Sequence, residues 1–348
     1  MQARLTHPLL WDVIAIDVGT TNTLIASRGR GLLVDEPSLV MLDSNTRDVI
    51  AVGEKAKRLC HRHGPQFEMF RPVIGGAITD FEILSSMLRL LLKKVSRRFS
   101  LLRKAYVLAV PAGITPVEKR ALSRTAKKAG AGQVYFVQEP IAAAIGTGLQ
   151  IDQAVGQMVV DIGGGTTEVA VICNFLVSCS ESLRIAGDQF DEAICKYVQD
   201  QYNVEISPTM AEAIKVRIGS VAESDREVKV RFRTTDKITG SLKEVAVSRN
   251  EVREAIRKPV LSIVSAVKRV LEKAPPNATS DVVKEGIWLA GGGALLRGWQ
   301  NLFYKECGIE VKISHDPLRS TIRGISESAR QFKFYQDIFY NGNLPRYE

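Results

Sequence analysis

The chain has 348 residues, of which 45% are hydrophobic and 24% charged, a mixture typical of a folded globular protein long enough for two domains. Asp12 and Asp17 interrupt the apolar run "LLWDVIAIDV", so the sequence predicts neither a transmembrane helix nor a secretory signal, and it favours the cytosol. The formal net charge of +9 indicates an anionic partner, which is nucleic acid, a phosphate-bearing ligand or an acidic membrane surface.

The five cysteines are odd in number and form no C-x-x-C pair, which predicts reduced thiols rather than a disulfide framework. The segment "CHRH" at 60–63 has no further ligands at metal spacing and is predicted to be a loop. No signature of a nucleic-acid-binding module occurs, so direct nucleic-acid binding is not expected.

The first half of the chain alternates strands and helices. Its pattern predicts strands at "WDVIAIDVG", "NTLIASRG", "LLVDEPSLVMLD" and "VIAVG", a helix at "EILSSMLRLLLKKVS" and a strand at "AYVLAVPAG". The segment "TPVEKRALSRTAKKAG" predicts a helix with Thr115 as N-cap, Pro116 as first residue and Gly130 as its stop. A strand at "VYFV" and a helix at "PIAAAIGTGL" follow.

The second half opens with "MVVDIGGGTTEVAVI", which predicts two buried strands joined by a Gly-rich turn. Helices are predicted at "GDQFDEAICKYVQDQYN", "TMAEAIKVRIGS" and "RNEVREAIRKPVLSIVSAVKRVLEKA", with a β-rich segment before the last of them. The chain then reaches "GIWLAGGGALLRG", where a further helix is predicted to begin at "ALLRGWQ".

The two halves open alike. "VIAIDVGTTNTLIA" and "MVVDIGGGTTEVAVI" share an apolar strand, an Asp, a Gly and a Thr pair, which suggests two similar domains facing a cleft. A single Gly-rich turn is equally well explained as a tight turn. As a pair, the turns offer backbone N–H groups and hydroxyls to a polyphosphate, while Asp17 and Asp161 would hold hydrated Mg²⁺.

The ordered motifs resemble those of the actin-like ATPase superfamily. Within it, "VPAGITPVEKRA", "EPIAAAIGTGL", "RIAGDQFDEAI", "AEAIKVRIGS", "EVREAI" and "DPLRSTIRG" resemble the MreB family of bacterial cell-shape proteins over about residues 12–330. The resemblance implies an α/β actin-like fold of two similar domains around a nucleotide cleft, each with mixed sheets, flanking helices and a smaller subdomain. It implies domain IA at 1–40, 75–150 and 320–348, IB at 41–74, IIA at 151–190 and 252–319, and IIB at 191–251.

The resemblance also implies a role for each matched position, with ATP and Mg²⁺ as cofactors; the choice between ATP and GTP stays open. The first phosphate loop comprises Asp17, Gly19, Thr20, Thr21 and Asn22, and the second Gly163, Gly164, Gly165, Thr166 and Thr167. Contacts to adenosine and sugar comprise Gly187, Asp188, Glu212, Lys215, Gly291, Gly292, Gly293 and Ala294. Catalysis falls to Glu139, which orients the attacking water, to Thr167, whose hydroxyl helps to hold it, and to Asp161 on the metal side.

Plainer interpretations stay open beside these roles. Glu139 also fits an acid at a helix start, which the helix dipole favours. Glu212 and Lys215 lie one helical turn apart, a spacing that a surface ion pair shares. The glycines at 187 and 291–293 also fit helix caps or turns.

The basic stretch "LLKKVSRRFSLLRK" occupies the place of a membrane loop in the family. The resemblance implies that Phe99, Leu101 and Leu102 insert at the membrane interface while neighbouring Lys and Arg attract anionic headgroups. A helix end packed into the core is the alternative, and Leu9, Leu10 and Trp11 are a second candidate contact. The implied protein is cytoplasmic and peripheral on the inner face of the cell membrane.

The resemblance implies double filaments that organise peptidoglycan synthesis for rod shape, with partners such as MreC, MreD and RodZ. A specialised actin-like filament for plasmid segregation or organelle positioning is the alternative. Three features depart from the family pattern: Gln138 precedes Glu139, Gly75 and Gly76 replace polar residues, and the tail at 331–348 is rich in aromatic residues. The tail is either flexible or a partner-binding segment.

Overall fold

The structure, a computed structural model, describes residues 11–59, 64–95, 103–223, 228–236 and 240–340. Several predictions therefore lie outside the described residues: the loop at 60–63, the membrane contacts at Leu9, Leu10, Phe99, Leu101 and Leu102, and the end of the tail. The chain forms two compact units. The first comprises Met1–Ala154, Ile172–Val177 and Leu318–Glu348, and the second Val155–Val171 and Ser178–Pro317. The finer division into four subdomains stays a prediction.

The secondary structure follows the predicted alternation. The strands are β1 (Trp11–Val18), β2 (Asn22–Ser27), β3 (Gly31–Pro37), β4 (Val40–Asp43), β5 (Val49–Val52), β6 (Phe67–Phe70), β7 (Val73–Ile74), β8 (Ala77–Ile78), β9 (Arg103–Val110), β10 (Gln133–Gln138), β11 (Gln157–Ile162), β12 (Thr167–Cys173), β13 (Leu176–Leu183), β14 (Lys229–Thr235), β15 (Leu242–Ser248), β16 (Ile287–Ala290) and β17 (Val311–Ile313). The helices are α1 (Gly53–Leu59), α2 (Phe81–Val95), α3 (Pro116–Lys128), α4 (Glu139–Thr147), α5 (Gly187–Tyr202), α6 (Pro208–Ile218), α7 (Arg249–Lys273), α8 (Pro276–Glu285), α9 (Trp299–Cys307) and α10 (Ser320–Arg330).

The first unit is built on a five-stranded sheet in the order β10-β9-β1-β2-β3. Strands β1, β2 and β3 form an antiparallel meander, while β9 runs parallel to β1 and β10 parallel to β9. Ile14 and Ile16 of β1 share a core with α2 and α3, and the alternate residues Val13 and Ala15 are buried as well. Burial of both faces explains why β1 is a continuous apolar run rather than an alternating one.

The second unit repeats this topology in the order β13-β12-β11-β16-β17. The central strand β11 is followed in the chain by β12 and β13 on one side, and it pairs in parallel with β16, which pairs in parallel with β17. In each unit, therefore, the opening strand is central, the next two strands extend one side and two later strands extend the other. The similarity inferred from the two opening motifs extends to the whole sheet.

Helix α3 begins as the sequence predicts. The Glu118 N–H donates to Thr115 Oγ1 at 3.2 Å, and the Thr115 N–H donates to Glu118 Oε2 at 2.9 Å, which is a complete capping box. Pro116 is the first helical residue, where its missing N–H costs nothing. Gly130 follows the C-cap with φ of +109°, so its lack of a Cβ allows the turn that ends the helix.

Helices α4 and α10 cross at backbone contact inside the first unit. A Cβ added at Gly146 of α4 would lie 1.7 Å from the carbonyl oxygen of Ser320, and one added at Gly324 of α10 would lie 1.7 Å from that of Ala142. Real side-chain carbons never approach backbone oxygen this closely, so both positions require glycine. Helix α10 also packs against β1, β2 and β9, and α4 is thereby held at the sheet.

The aromatic tail packs against the first unit as far as it is described. Tyr340 exchanges backbone hydrogen bonds with Phe136 of β10, at 3.1 and 3.2 Å. The rings of Phe332 and Phe339 stack at 4.8 Å with an interplanar angle of 7°. Aromatic contacts and an added strand bridge therefore hold residues 331–340 against the first unit, and the choice between a flexible and a partner-binding tail stays a prediction.

Candidate functional site

The first predicted phosphate loop joins β1 to β2. The Gly19 N–H donates to the Asn22 carbonyl at 3.0 Å, and a Cβ at Gly19 would lie only 2.9 Å from that oxygen. Thr21 and Asn22 are exposed, and the Asn22 side-chain amide donates to Asp35 Oδ1 at 3.2 Å. Thr20 is 5% exposed, and its hydroxyl accepts the Gly76 N–H at 3.2 Å. Thr20 thus joins the loop to the neighbouring β7–β8 turn.

Ser38 holds this loop through two hydrogen bonds to its carbonyl groups. This role was not predicted from the sequence. Its hydroxyl donates to the Gly19 carbonyl at 2.6 Å, and its N–H donates to the Thr21 carbonyl at 2.8 Å. The buried Thr23 hydroxyl lies 2.8 Å from the Ser38 hydroxyl and must donate to it, since the Ser38 proton is already used. Ser38 lies between β3 and β4, where a single polar residue gives no sign in the sequence that it supports a distant loop.

The second predicted phosphate loop has the same closing hydrogen bond. The Gly163 N–H donates to the Thr166 carbonyl at 2.9 Å, and a Cβ at Gly163 would lie 3.1 Å from that oxygen. The two hairpins therefore match without a gap: Gly163 corresponds to Gly19 and Thr166 to Asn22. The Thr pairs aligned in the sequence analysis are not equivalent, because Thr20 corresponds to Gly164.

Thr167 occupies the position of Thr23 in the other hairpin. Both side chains are fully buried, and the Thr167 hydroxyl donates to the Ile185 carbonyl at 2.6 Å. This hydroxyl can still accept a hydrogen bond, but its proton is used inside the protein. The contact favours a role in holding β12 to the segment before α5, while the water-holding role stays a prediction.

A buried carboxylate lies beside Asp161 on β12. Glu168 is 2% exposed, and burial, the largest cause, raises the pKa of its carboxyl to about 7. A hydrogen bond from the Ser182 hydroxyl opposes this rise, and the negative charge of Asp161 adds to it. Sequence analysis missed Glu168, although an acid within an apolar strand is a signal of this kind.

The start of α5 lies on the second phosphate loop. The Gly187 N–H donates to the Gly163 carbonyl at 3.2 Å, and the Asp188 N–H to the Gly164 carbonyl at 2.7 Å. The predicted sugar-side loop and this phosphate loop are thus in direct contact within the second unit.

Lys215 of α6 reaches the same place. Its ammonium donates to Asp191 Oδ2 at 2.8 Å and to the Gly187 carbonyl at 2.9 Å, whereas Glu212 is exposed on α6. The ionic partner of Lys215 is therefore an acid of α5. Asp191 was not among the predicted site residues.

The loop after β16 packs on the end of β11. A Cβ at Gly291 would lie 2.4 Å from Asp161 Oδ1, and one at Gly293 would lie 2.2 Å from Ile162 Cγ2. These two glycines are required for packing, whether or not adenine contacts the loop. Ala294, predicted as an adenosine contact, is fully buried in the core of the second unit.

The helix predicted at "ALLRGWQ" is wrong in position. A short 3-10 turn covers Gly292–Leu295, and the α-helix begins only at Trp299, after Gly298 with φ of +93°. Leu296 is extended between the two segments. Left-handed backbone at Gly298 interrupts any continuous helix, and the apolar spacing of "ALL" does not show this.

Glu139 is the first residue of α4, in the first unit, and is half-buried. This position fits both the catalytic role and an acid favoured by the helix dipole. Gln138, the N-cap, is 9% exposed, and its Oε1 has no hydrogen-bond partner among the described residues. The α4–α10 crossing described above holds the helix that carries Glu139.

Each hairpin offers one carboxylate for a metal, Asp17 or Asp161, at the end of its first strand. Among the residues described, no group of three or more His, Cys, Asp or Glu side chains could hold a metal ion. Mg²⁺ keeps several waters and is commonly bound by one or two carboxylates together with substrate phosphates. The donors therefore fit Mg²⁺ that arrives with a nucleotide.

Comparison with known proteins assigns the family. The sequence profile described as MreB/Mbl protein matches residues 12–337. The chain belongs to the MreB/Mbl family. The cell shape-determining protein MreB of Escherichia coli (strain K12) is 43% identical over 318 residues, which are 89% of this chain and 91% of that protein.

Solved structures confirm the actin-like fold. MreB5 of Spiroplasma citri bound to ADP superposes with a TM-score of 0.88 at 31% identity, covering 94% of this chain and 98% of that one. The same protein bound to AMPPNP gives a TM-score of 0.87 at 32% identity. A double helical filament of MamK gives 0.79 at 20% identity, covering 91% and 98%, and shows the shared fold alone.

The described helices include none that is both long and apolar enough to cross a membrane. Trp11, a candidate membrane contact, begins β1 and packs its ring 3.2 Å from the Cβ position of Gly132. Packing within the first unit therefore accounts for Trp11, and the other membrane candidates stay predictions.

Proposed function

We propose that this chain is a Mg²⁺-dependent ATPase that forms membrane-associated filaments and organises peptidoglycan synthesis to control rod cell shape. The observation that supports it best is the pair of hairpins with the same closing hydrogen bond, Gly19 to Asn22 and Gly163 to Thr166, in a chain of the MreB/Mbl family. In both turns glycine allows the backbone to close on a carbonyl oxygen of the turn itself, that of Asn22 or Thr166. Successive N–H groups in a tight turn of this kind can form an anion-binding site.

In this proposal Asp17 and Asp161 would hold Mg²⁺ through water, and the loops would bind phosphate oxygens through N–H groups and through the exposed Thr21 and Asn22. Glu139 positions the attacking water at the first turn of α4. The relatives bound to ADP and AMPPNP support a nucleotide of the ATP type. ATP supplies the phosphoryl group, and the protein contributes position and charge.

The catalytic part is tested by phosphate release and nucleotide binding. We expect Glu139→Gln to lower turnover by about a hundredfold or more while ATP still binds, because water is no longer oriented. Glu54→Gln is the matched control, since Glu54 is also an acid in the first turn of a helix. If Glu139→Gln lowers thermal stability but leaves turnover unchanged, the helix-dipole interpretation is correct. Turnover that persists in excess EDTA contradicts the Mg²⁺ requirement.

The filament and membrane part is tested by co-sedimentation with anionic vesicles in ATP, followed by electron microscopy of the pellet. The expected result is paired filaments on lipid for the natural sequence. The variant with Phe99→Ser, Leu101→Ser and Leu102→Ser should form filaments that stay off the lipid, because the apolar insertion is removed. Filaments of the natural sequence that ignore lipid would favour segregation or positioning over cell-shape control.

Partners of the MreC, MreD and RodZ kind follow from the cell-shape proposal. The support is the family assignment and the name of the Escherichia coli relative. Localisation on the inner face of the cell membrane follows from the same proposal.

A further inference from the structure

We propose that Asp191 is a positioning residue for nucleotide binding: it directs the Lys215 ammonium onto the Gly187 carbonyl and so fixes the start of α5 on the second phosphate loop. This inference rests on the proposed binding of ATP. Its structural part, the link from α6 through α5 to the loop, can be measured without nucleotide.

The link consists of consecutive short contacts. Lys215 Nζ lies 2.8 Å from Asp191 Oδ2 and 2.9 Å from the Gly187 carbonyl oxygen. The Gly187 N–H in turn donates to the Gly163 carbonyl at 3.2 Å. A Cβ at Gly187 would lie 3.3 Å from Lys215 Nζ and 3.4 Å from Gly163 O, so ammonium and loop both pack on this glycine. Moving Lys215 therefore moves the support of the loop.

Burial and charge make Asp191 the residue that holds Lys215. The two side chains are only 10% and 12% exposed, so water screens their attraction weakly. The carboxylates of Glu212 and Asp188 also interact electrostatically with the Asp191 carboxyl. Burial, the largest cause, and their negative charges raise the pKa of the Asp191 carboxyl, while the Lys215 ammonium lowers it. Asp191 is the acid in hydrogen-bond contact with the cation, and this contact selects one position of the long lysine chain.

Stability alone accounts poorly for this pair. The desolvation of two buried charges offsets most of their attraction, so a buried ion pair adds little net stability. Asp191 Oδ1 is also buried with no hydrogen-bond partner among the described residues, which adds a further cost. The pair instead orients the lysine: Asp191 and the Gly187 carbonyl use two of the three ammonium donors, which leaves the third for a ligand.

The test uses the full chain with Asp191→Asn, Lys215→Met and the double variant. Glu192→Gln is the control, because Glu192 is the adjacent, exposed acid of α5. Without nucleotide, hydrogen exchange in peptides covering 186–189 should be faster in both single variants and unchanged in the control. The Kd for ATP should rise about tenfold or more in each single variant, and the double variant should be no worse than the weaker-binding single variant.

Two results would overturn the inference. One is an Asp191→Asn variant with natural exchange and natural ATP affinity; the other is a double variant in which the two losses multiply, because Asp191 then acts independently of Lys215. If Asp191→Asn does not fold, Lys215→Met alone must still accelerate exchange at 186–189, or the inference fails. A natural chain that binds no ATP contradicts the proposed function, while the exchange measurement still decides the link.

Discussion

Lys119 is a charged residue enclosed by aromatic rings. It lies on α3, is 1% exposed, and its ammonium has no hydrogen-bond partner among the residues described. The Nζ lies 3.6 Å from the ring centroid of Tyr340 and 5.6 Å from that of Phe136. Burial lowers the pKa of Lys119 from 10.5 to about 8. Cation–π attraction to the two rings opposes this desolvation cost.

Replacing this amine with an apolar chain of similar length should stabilise the protein. We expect Lys119→Met to raise the free energy of unfolding by about 1–2 kcal/mol at pH 7. Between about pH 8 and pH 10.5 the unfolded natural chain binds the proton more tightly than the folded one, so its stability rises and the advantage of the variant shrinks. Urea unfolding at both ends of this range measures it; destabilisation at pH 7 would mean that the cation–π contacts dominate.

Glu168 should make stability depend on pH in the opposite direction. The pKa of its carboxyl is about 7 in the folded chain and 4.5 in the unfolded chain. The free energy of unfolding of the natural chain is therefore highest below pH 4.5, and it falls as the pH rises from 4.5 through 7, because the unfolded chain releases its proton first. The fall is on the order of 3 kcal/mol. Glu168→Gln should remove it, which unfolding of the nucleotide-free protein between pH 5 and pH 8 would show, with the exposed Glu82→Gln as control. Equal pH dependence in both variants would contradict this account.

At the scale of elements, the α4–α10 crossing decides how firmly Glu139 is held. The two helices approach at Gly146 and Gly324, each facing a carbonyl oxygen of the other helix. Such a contact places backbone against backbone, where no rotamer change can relieve an added carbon. The position of the catalytic candidate thus depends on residues with no side chain.

A methyl group added at Gly146 or Gly324 should force α4 and α10 apart. We expect Gly146→Ala and Gly324→Ala each to lower the free energy of unfolding by about 2–3 kcal/mol or more. The matched control is Gly113→Ala, because a Cβ there meets nothing within 4 Å. Thermal unfolding measures the difference; equal melting temperatures for all three variants would show that the helices part without cost.

Most helices and strands could be predicted because they depend on residues close together in the sequence. Contacts between residues far apart in the sequence could not be predicted. The cap at Thr115 and both hairpins depend on neighbouring residues, so the sequence shows them. The Lys215–Asp191 pair and the glycine contact of α4 with α10 join separate helices, and no local pattern marks either partner. The correct alignment of the two hairpins became clear only from the hydrogen bond between the Gly163 N–H and the Thr166 carbonyl. The sequence alone suggested a wrong alignment, because each hairpin contains a pair of Thr residues. Site roles beyond these contacts still rest on the family.

For the whole molecule, the net charge of +9 should bring the chain to anionic surfaces before any specific contact forms. Such attraction is screened within about 8 Å at physiological salt. We expect sedimentation with anionic vesicles to fall severalfold between low salt and about 0.5 M salt, and neutral vesicles to recruit little protein. At low salt the variant with Phe99→Ser, Leu101→Ser and Leu102→Ser should still be recruited through its unchanged charges, whereas its filaments stay off the lipid at physiological salt, where this attraction is screened. Salt-independent recruitment to anionic vesicles would show that apolar insertion is sufficient.

The discontinuity of the first unit has a consequence for synthesis. Its last stretch begins at Leu318, and α10, which covers α4 and three strands of the sheet, belongs to that stretch. A growing chain reaches the end of the second unit, Pro317, before α10 has been made. Translation normally lets N-terminal domains fold first. Here the order differs: α10 is made only after the whole of the second unit, so the first unit keeps the faces of α4 and of its sheet uncovered until residues 320–330 have been made.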